Sequence, residues 1–484
     1  MKALQVFKKF PRTFWVANTM ELFERWAWYG FYILFALYLT NSTDEGALGF
    51  TQVQKGWIMG VGTAILYFLP LITGAISDKI GYKKTLYIAY TIYTTAFLAM
   101  PFFHSFVSVF IIFLYLALGA ALFKPIVSAT VAKTTDKTTS SIGFGIFYMM
   151  VNIGAFVGPF VTGHFREISW EYVFISSALV IAFNFVLLTF FYKEPRHDDE
   201  PEKVKEPLGK NIVGAFKNIG VALSDVKFVI FLVIIAGFWT MYNQLFFTLP
   251  VFIDQWVDTT RVYDFLANVW PWLAQKLGTE QGTIPAEYLV NVDAGSIILF
   301  QIIISSIVMR LRPLNAMISG IFVASIGIGL SMMTHSGMFV VLALFIFSIG
   351  EMSSSPKITE YIGRIAPPDK TALYMGTSFL PVAAGNFFAG IISGNVYQQM
   401  SDKVQLARNE MVTRGINLPA ISDKFTQNDF LEAAAHKLNM NMHEFTMFLW
   451  DKYHPSNIWM VVFGIGLGAT ILLFLYDRII LKKQ

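Results

Sequence analysis

The sequence predicts an all-α membrane protein with twelve transmembrane helices in two six-helix bundles. Three observations predict it. The 484 residues are 55% hydrophobic, include 47 Phe and are only 14% charged, against about 25% charged in an ordinary soluble chain. Twelve apolar segments have spanning length, near 14–40, 54–76, 85–104, 106–131, 142–163, 170–192, 228–254, 288–310, 314–334, 337–362, 371–398 and 457–480. Between the sixth and seventh lies EPRHDDEPEKVKEPLGK (194–210), a charged run with three prolines and no apolar face, which reads as a solvated linker over 193–227. The domains are then an N-terminal six-helix bundle over 1–192 and a C-terminal one over 228–484.

Segments three and four, and nine and ten, are joined by only a few residues, so each pair must be a tight antiparallel hairpin. The second half carries insertions near 255–287 and 399–456. Within the latter, FLEAAAHKLNMNMHEFTMFLW has helical periodicity, which predicts short helices on the outer face, a structural cap in preference to a lid.

Basic residues orient the chain. With the amino terminus in the cytoplasm, one side receives Lys8, Lys9, Arg12, Lys79, Lys83, Lys84, Lys133, the linker lysines, Arg310, Arg312, Arg364, Lys370 and Arg478. The opposite short loops hold almost only Lys55, Arg166, Arg261 and Lys276, so both termini are expected in the cytoplasm. The basic start MKALQVFKKFPR is not expected to be a cleavable signal, because the apolar stretch behind it is too long and carries charge. Absence of cysteine excludes disulfides, thiol catalysis and thiolate metal sites. The seven His are scattered, and no phosphate loop or serine-histidine-acid arrangement is evident. Neither an enzyme, a cofactor, a metal nor a nucleic-acid partner is therefore expected.

Charges inside spans carry the functional signal. Glu21, Glu24 and Arg25 lie in the first segment, where ionised groups cost several kcal/mol unless paired or facing water. Residues three and four apart share a helix face, so the three form one cluster whose pairing a proton can switch. The alternative is a static ion pair between helices. Lys124 precedes Pro125 in the fourth span and should be neutral, paired or cavity-facing, beside a kink. Asn152, among small residues of the fifth span, serves either a neighbouring helix or a substrate. The seventh span holds Trp239, Asn243 and Gln244, and the eighth begins near Asn291 and Asp293. Glu351 in the tenth precedes Pro356 by five residues: a lone carboxylate above a proline break, or half of a salt bridge.

GAISDKIGYKK, with Gly74, Asp78, Lys79, Gly81, Lys83 and Lys84 just after the second span, resembles the cytoplasmic loop pattern of the major facilitator superfamily. The six-plus-six layout is that superfamily's as well. Its glycines would let helices approach, and Asp78 would meet a basic residue or a helix end. Further motifs resemble one family within it, the proton-dependent oligopeptide transporters (POT or PTR family). ELFER (21–25) looks like its E-x-x-E-R motif, and LFKPIVSA (122–129) resembles its fourth-helix lysine-proline segment. FYMMVNIGAFVGP (147–159), FWTMYNQ (238–244) and GEMSSSP (350–356) are similar to its fifth-, seventh- and tenth-helix signatures.

The resemblance implies proton-driven alternating access with Glu21, Glu24, Arg25, Lys124 and Glu351 in the coupling. It implies a substrate pocket of Tyr29, Tyr32, Tyr67, Lys124, Asn152, Trp239, Asn243, Asn291, Glu351 and Ser355. Asn152, Asn291 and Glu351 match positions that hold a peptide's amino terminus. Two positions depart from the family. Tyr32 stands where a second arginine is usual, and Asn243 stands where an acid usually precedes the seventh-helix glutamine. A neutral outer gate is expected, with Tyr32 and Asn243 available for a hydrogen bond, and carboxylate recognition falling to Lys124 and Arg25. The linker is expected to be too polar for the two extra helices common in bacterial members. The expected function is proton-coupled symport of small peptides or peptide-like solutes by a monomer in a bacterial inner (plasma) membrane. The alternatives are a proton-coupled carrier of a non-peptide solute (sugar derivative, siderophore or drug) and a transport-dead receptor.

Overall fold

Residues 7–136, 139–195, 208–331, 334–367 and 370–481 are described by the structure, a computed structural model. The first seven helices are α1 (Arg12–Thr40), α2 (Gln52–Phe68), α3 (Pro70–Ile80), α4 (Tyr82–Ala99), α5 (Phe106–Lys133), α6 (Ser140–Arg166) and α7 (Trp170–Phe190). Then come α8 (Leu208–Leu223), α9 (Val226–Tyr242), α10 (Gln244–Phe247), α11 (Leu249–Trp256), α12 (Thr260–Val269) and α13 (Pro271–Leu277). They are followed by α14 (Ala286–Val290), α15 (Val292–Val308), α16 (Pro313–Leu330), α17 (Gly337–Ile365), α18 (Thr371–Thr377) and α19 (Phe379–Ile391). A π-helical turn (Ile392–Val396) leads to α20 (Tyr397–Met400), α21 (Lys403–Thr413), α22 (Gln427–Lys437), α23 (Met442–Tyr453) and α24 (Ile458–Leu475). All twelve expected segments are helical, and the described residues form no strand.

Ten of them are long and apolar enough to cross a membrane by length and composition. The other two, α1 and α4, are diluted by the charge cluster and by a Tyr-, Thr- and Lys-rich sequence. At roughly 1.5 Å per residue, the 29 residues of α1 still exceed a hydrocarbon core. Helix is the form such segments must take, because it satisfies every backbone group internally. Prolines set the interruptions. Pro70 follows the break at Leu69, Pro250 the break at Thr248, and Pro381 the one at Ser378.

One expectation needs correction. The 193–227 linker contains a helix, α8, while residues 196–207 lie outside the described residues. Its apolar side packs on α3 and α18, with the Phe216 ring 6.5 Å from that of Phe68. The charged residues ahead of it hide this stripe when the linker is read as a whole.

The chain forms two compact units. Unit 1 comprises Met1–Phe31, Gly62–Leu232 and Ile362–Ala383; unit 2 comprises Tyr32–Val61, Val233–Tyr361 and Ala384–Gln484. Helices α1, α2, α9, α17 and α19 each contribute to both. In unit 1, α4 packs along α5 and α7. In unit 2, α16 packs along α24.

Both insertions are short helices, as the sequence suggests. In the second, Glu410 of α21 accepts from Arg414 Nε (2.6 Å), Lys452 Nζ (2.6 Å) and the Tyr453 hydroxyl (2.7 Å), tying α21 to α23. Helix α22 is docked onto the 41–51 loop: Asn428 Nδ2 donates to Asp44 Oδ2 (3.0 Å) and Glu45 Oε1 (2.9 Å), and Gln427 Nε2 to the Gly49 carbonyl (3.0 Å). Such bonds make the insertion a fixed cap on unit 2.

Candidate functional site

In unit 1 the cluster on α1 is assembled as its spacing implies. Arg25 Nε lies 3.0 Å from Glu21 Oε1, and Arg25 Nη2 lies 2.5 Å from Glu24 Oε2. All three are buried, with Glu24 fully so. The Tyr93 hydroxyl of α4 donates to Glu24 Oε1. Tyr29 is near enough to interact electrostatically with Arg25. Lys124 of α5 sits with Nζ 3.8 Å from the centre of the Tyr67 ring and within electrostatic reach of Glu21, Glu24 and Arg25. One guanidinium thus holds two carboxylates, with an ammonium close by. Ion pairs of this kind are strong where water is scarce.

The helix carrying the cluster is pinned by backbone contacts. Asn184 Nδ2 of α7 donates to the Met20 carbonyl (3.1 Å), and the Thr162 hydroxyl of α6 to the Gly30 carbonyl (2.8 Å). The glycines of VNIGAFVGP press α6 directly onto α1. A Cβ at Gly154 would stand 2.4 Å from the Leu22 carbonyl oxygen and 2.8 Å from Arg25 Cβ. Gly154→Ala is therefore expected to force the helices apart at Arg25. Thermal unfolding of the variant should fall by several degrees, with transport reduced at least tenfold; an unchanged melting profile and rate would count against this contact. Asn152, two residues earlier, donates Nδ2 to the Tyr148 carbonyl of its own helix (2.8 Å).

At the GAISDKIGYKK motif, α3 ends and α4 begins at Gly81, whose φ is 96°. Asp78 accepts from the Tyr82 hydroxyl (3.2 Å). The helix end is met by Glu194 instead, which accepts from Tyr82 N (2.8 Å) and Lys83 N (3.3 Å). A carboxylate at the first turn satisfies otherwise open N–H groups and the helix dipole. Gly74 has ordinary spacing, since a Cβ there would meet only Pro125 Cβ at 3.9 Å.

Unit 2 gathers the second-half residues. Asn243 and Asn291, both buried, occupy the two short interruptions α9/α10 and α14/α15. Asn243 Nδ2 donates to the Trp239 carbonyl (2.7 Å). The Trp239 ring packs edge-on to Tyr242 at 5.1 Å. Tyr32 lies in this unit too, its ring 5.7 Å from Phe246 and 6.3 Å from Phe247. Glu351, on α17, is 8% exposed and within hydrogen-bonding range of Tyr242 and of Asp293 on α15. Asp293 Oδ1 accepts from the Ser348 hydroxyl at 2.6 Å. Ser353 and Ser354 donate back to the Ile349 and Gly350 carbonyls, while Ser355 is half-buried next to Pro356.

The same unit holds a buried lysine at its cap end. Lys55 of α2 is 0% exposed; its Nζ donates to the Phe247 carbonyl (2.8 Å), lies 5.2 Å from the Tyr397 ring centre and feels the charge of Asp402. Asp402 accepts from Gln52 Nε2 (2.9 Å), Gln255 Nε2 (3.1 Å) and Gln405 N (3.1 Å). Beside Lys55, α2 meets α19 backbone to backbone: a Cβ at Gly56 would be 2.3 Å from the Gly390 carbonyl oxygen. Among the described residues no three His, Asp or Glu side chains gather as a metal site would need.

The Major Facilitator Superfamily model matches residues 19–390. The chain belongs to that superfamily. A di-/tripeptide transporter of Lactococcus lactis subsp. lactis (strain IL1403) is 25% identical over 238 residues, 48% of this chain and 46% of that protein. The match spans about half the length of that relative. The uncharacterized transporter YclF of Bacillus subtilis (strain 168) is 22% identical over 434 residues, covering 79% of this chain and 88% of its own. A crystal structure of peptide transporter POT in complex with sulfate aligns with a TM-score of 0.68 and 16% identity, covering 97% of this chain and 95% of the other. At that identity the likeness is one of fold, and the fold is that of the major facilitators.

Three residues of this major facilitator protein make contacts that the sequence alone does not assign. Asp293 was noted but not joined to Glu351, because their registry depends on how α15 packs against α17. Lys55 was counted as a loop residue, because it sits in the first turn of α2, where sequence does not tell burial from exposure. Glu194 was one charge among many in the linker. A lysine immediately ahead of G-W-I-M-G was the only available hint of the second.

Proposed function

We propose that this chain is a member of the proton-dependent oligopeptide transporter family, a proton-coupled symporter that imports small peptides or peptide-like solutes. The observation that carries the reading is the buried Glu21–Arg25–Glu24 group with Tyr93 on Glu24. Neutralising either carboxylate by a proton loosens one of the two bonds on Arg25 and changes what Arg25 and Lys124 offer to a solute carboxylate. Glu351 offers a carboxylate to a solute ammonium, and Tyr29, Tyr67, Asn152, Trp239, Asn291 and Ser355 complete the recognition surface. A ligand can drive such a cycle only by binding its two states unequally. The peptide transporter relative and the POT structure support the family and the solute class. In this reading the halves 1–192 and 228–484 are the two six-helix bundles, joined by the 193–227 segment. The chain works as a monomer in the plasma membrane with both termini in the cytoplasm, as its basic residues favour.

The test is uptake of a labelled di- and tripeptide library into proteoliposomes, with and without an inward proton gradient. Gradient-dependent accumulation that Glu351→Gln removes is the expected result. No accumulation of any peptide, in liposomes where a control carrier works, would move the assignment to a non-peptide solute. Tyr32 and Asn243 favour that second reading: one packs on two Phe rings and the other bonds its own helix, where peptide carriers usually place an arginine and an acid.

A further inference from the structure

We infer that Asp293 and Glu351 form a second proton-binding site, built within unit 2 and separate from the cluster on α1, in which one proton is shared between two carboxyl groups. The inference goes beyond the peptide reading and stands whichever solute is carried.

Geometry carries it. Asp293 projects from α15 and Glu351 from α17, and the two carboxyls lie within hydrogen-bonding range of each other. Their exposures are 5% and 8%. Asp293 Oδ1 already accepts from Ser348 at 2.6 Å, whereas Glu351 Oε2 is buried with no donor. Two carboxylates side by side in a poorly solvated place resist carrying two charges, and one proton between them relieves both the repulsion and the missing donor. The titratable groups acting on the pair are each carboxyl on the other and Tyr242 of α9; no lysine or arginine acts on either among the described residues. The site is therefore unlike the α1 cluster, where a guanidinium faces both acids. A bound proton leaves the pair with one negative charge, which suits a single cationic group. Losing that proton doubles the charge and favours a cation more strongly. Proton release and cation binding would then be coupled at one pair of side chains.

The test reads protons directly. Purified protein in lipid is titrated while the carboxylic acid C=O absorption is followed by infrared difference spectroscopy, in choline chloride without substrate. The expected result is one C=O component that disappears on raising the pH and is missing from both Asp293→Asn and Glu351→Gln, yet persists in Glu24→Gln. If either pair variant fails to fold, Ser348→Ala decides the matter, since it keeps both carboxyls. Removing the hydroxyl that stabilises charged Asp293 should move the midpoint to higher pH by about one unit. Two results would overturn the inference: loss of the component in only one pair variant, or no shift in Ser348→Ala. Failure of peptide uptake would leave these spectra untouched, so the two readings fail separately.

Discussion

Replacing Glu24 with glutamine is expected to abolish accumulation driven by a pH gradient while leaving counterflow partly intact. The substitution keeps the shape of the side chain and its bond with Tyr93, but fixes it in the neutral state. Arg25 retains Glu21 at 3.0 Å, so no uncompensated buried charge is created and the fold should survive. That distinguishes Glu24→Gln from Arg25→Ala, which strands two buried carboxylates and should cost about 3–5 kcal/mol in stability. Counterflow exchanges solute for solute and needs no net proton movement. Accumulation needs Glu24 to take and release its proton once per cycle. Equal loss of both activities would count against a coupling role for this carboxylate.

Lys55→Met is expected to loosen the cap end of unit 2. Methionine fills the volume but donates nothing, so the Phe247 carbonyl loses its buried donor and Asp402 its nearby cation. A buried acceptor left without a partner costs about 1–3 kcal/mol. Asp402 keeps its bonds from Gln52, Gln255 and Gln405, so the effect should fall on closure more than on folding. Because the chain has no cysteine, one thiol placed at Thr40, 5% exposed, is a unique reporter. Its alkylation by a water-soluble maleimide should quicken about tenfold or more in Lys55→Met, each 1.4 kcal/mol being a factor of ten. An unchanged rate would show that Lys55 is not what holds this end shut.

Lys55 also measures what sequence can convey. Charges in the middle of apolar segments declare themselves, so Glu21, Glu24, Arg25 and Glu351 were legible as groups that the fold must bury. Charges at segment ends do not, since helix ends can face either water or a neighbour. Lys55 and Asp402 are charges of this kind, buried in unit 2 beside Phe247 and Gln52. The fold was legible because apolar runs of spanning length admit almost no other backbone than helix. Helix α8 was missed for the opposite reason, as its apolar stripe follows a charged run that dominates the local average. Asp78 illustrates a subtler limit. A motif marks where a helix start needs an anion, but Glu194, over a hundred positions later, supplies it.

Helix α1 is fastened along its length: Thr13 Oγ1 donates to the Lys193 carbonyl near one end, Asn184 and Thr162 hold the middle, and the loop beyond Thr40 is bound to the cap. A rod held so often is a poor lever. Its neighbour α6 meets it through bare backbone at Gly154 and Gly158 and through the Thr162 hydroxyl on the Gly30 carbonyl. Such a seam leaves no room for a side chain at either glycine. The charged helix is clasped by α6 and α7 alike, so its carboxylates are presented from a wall and not from a moving arm.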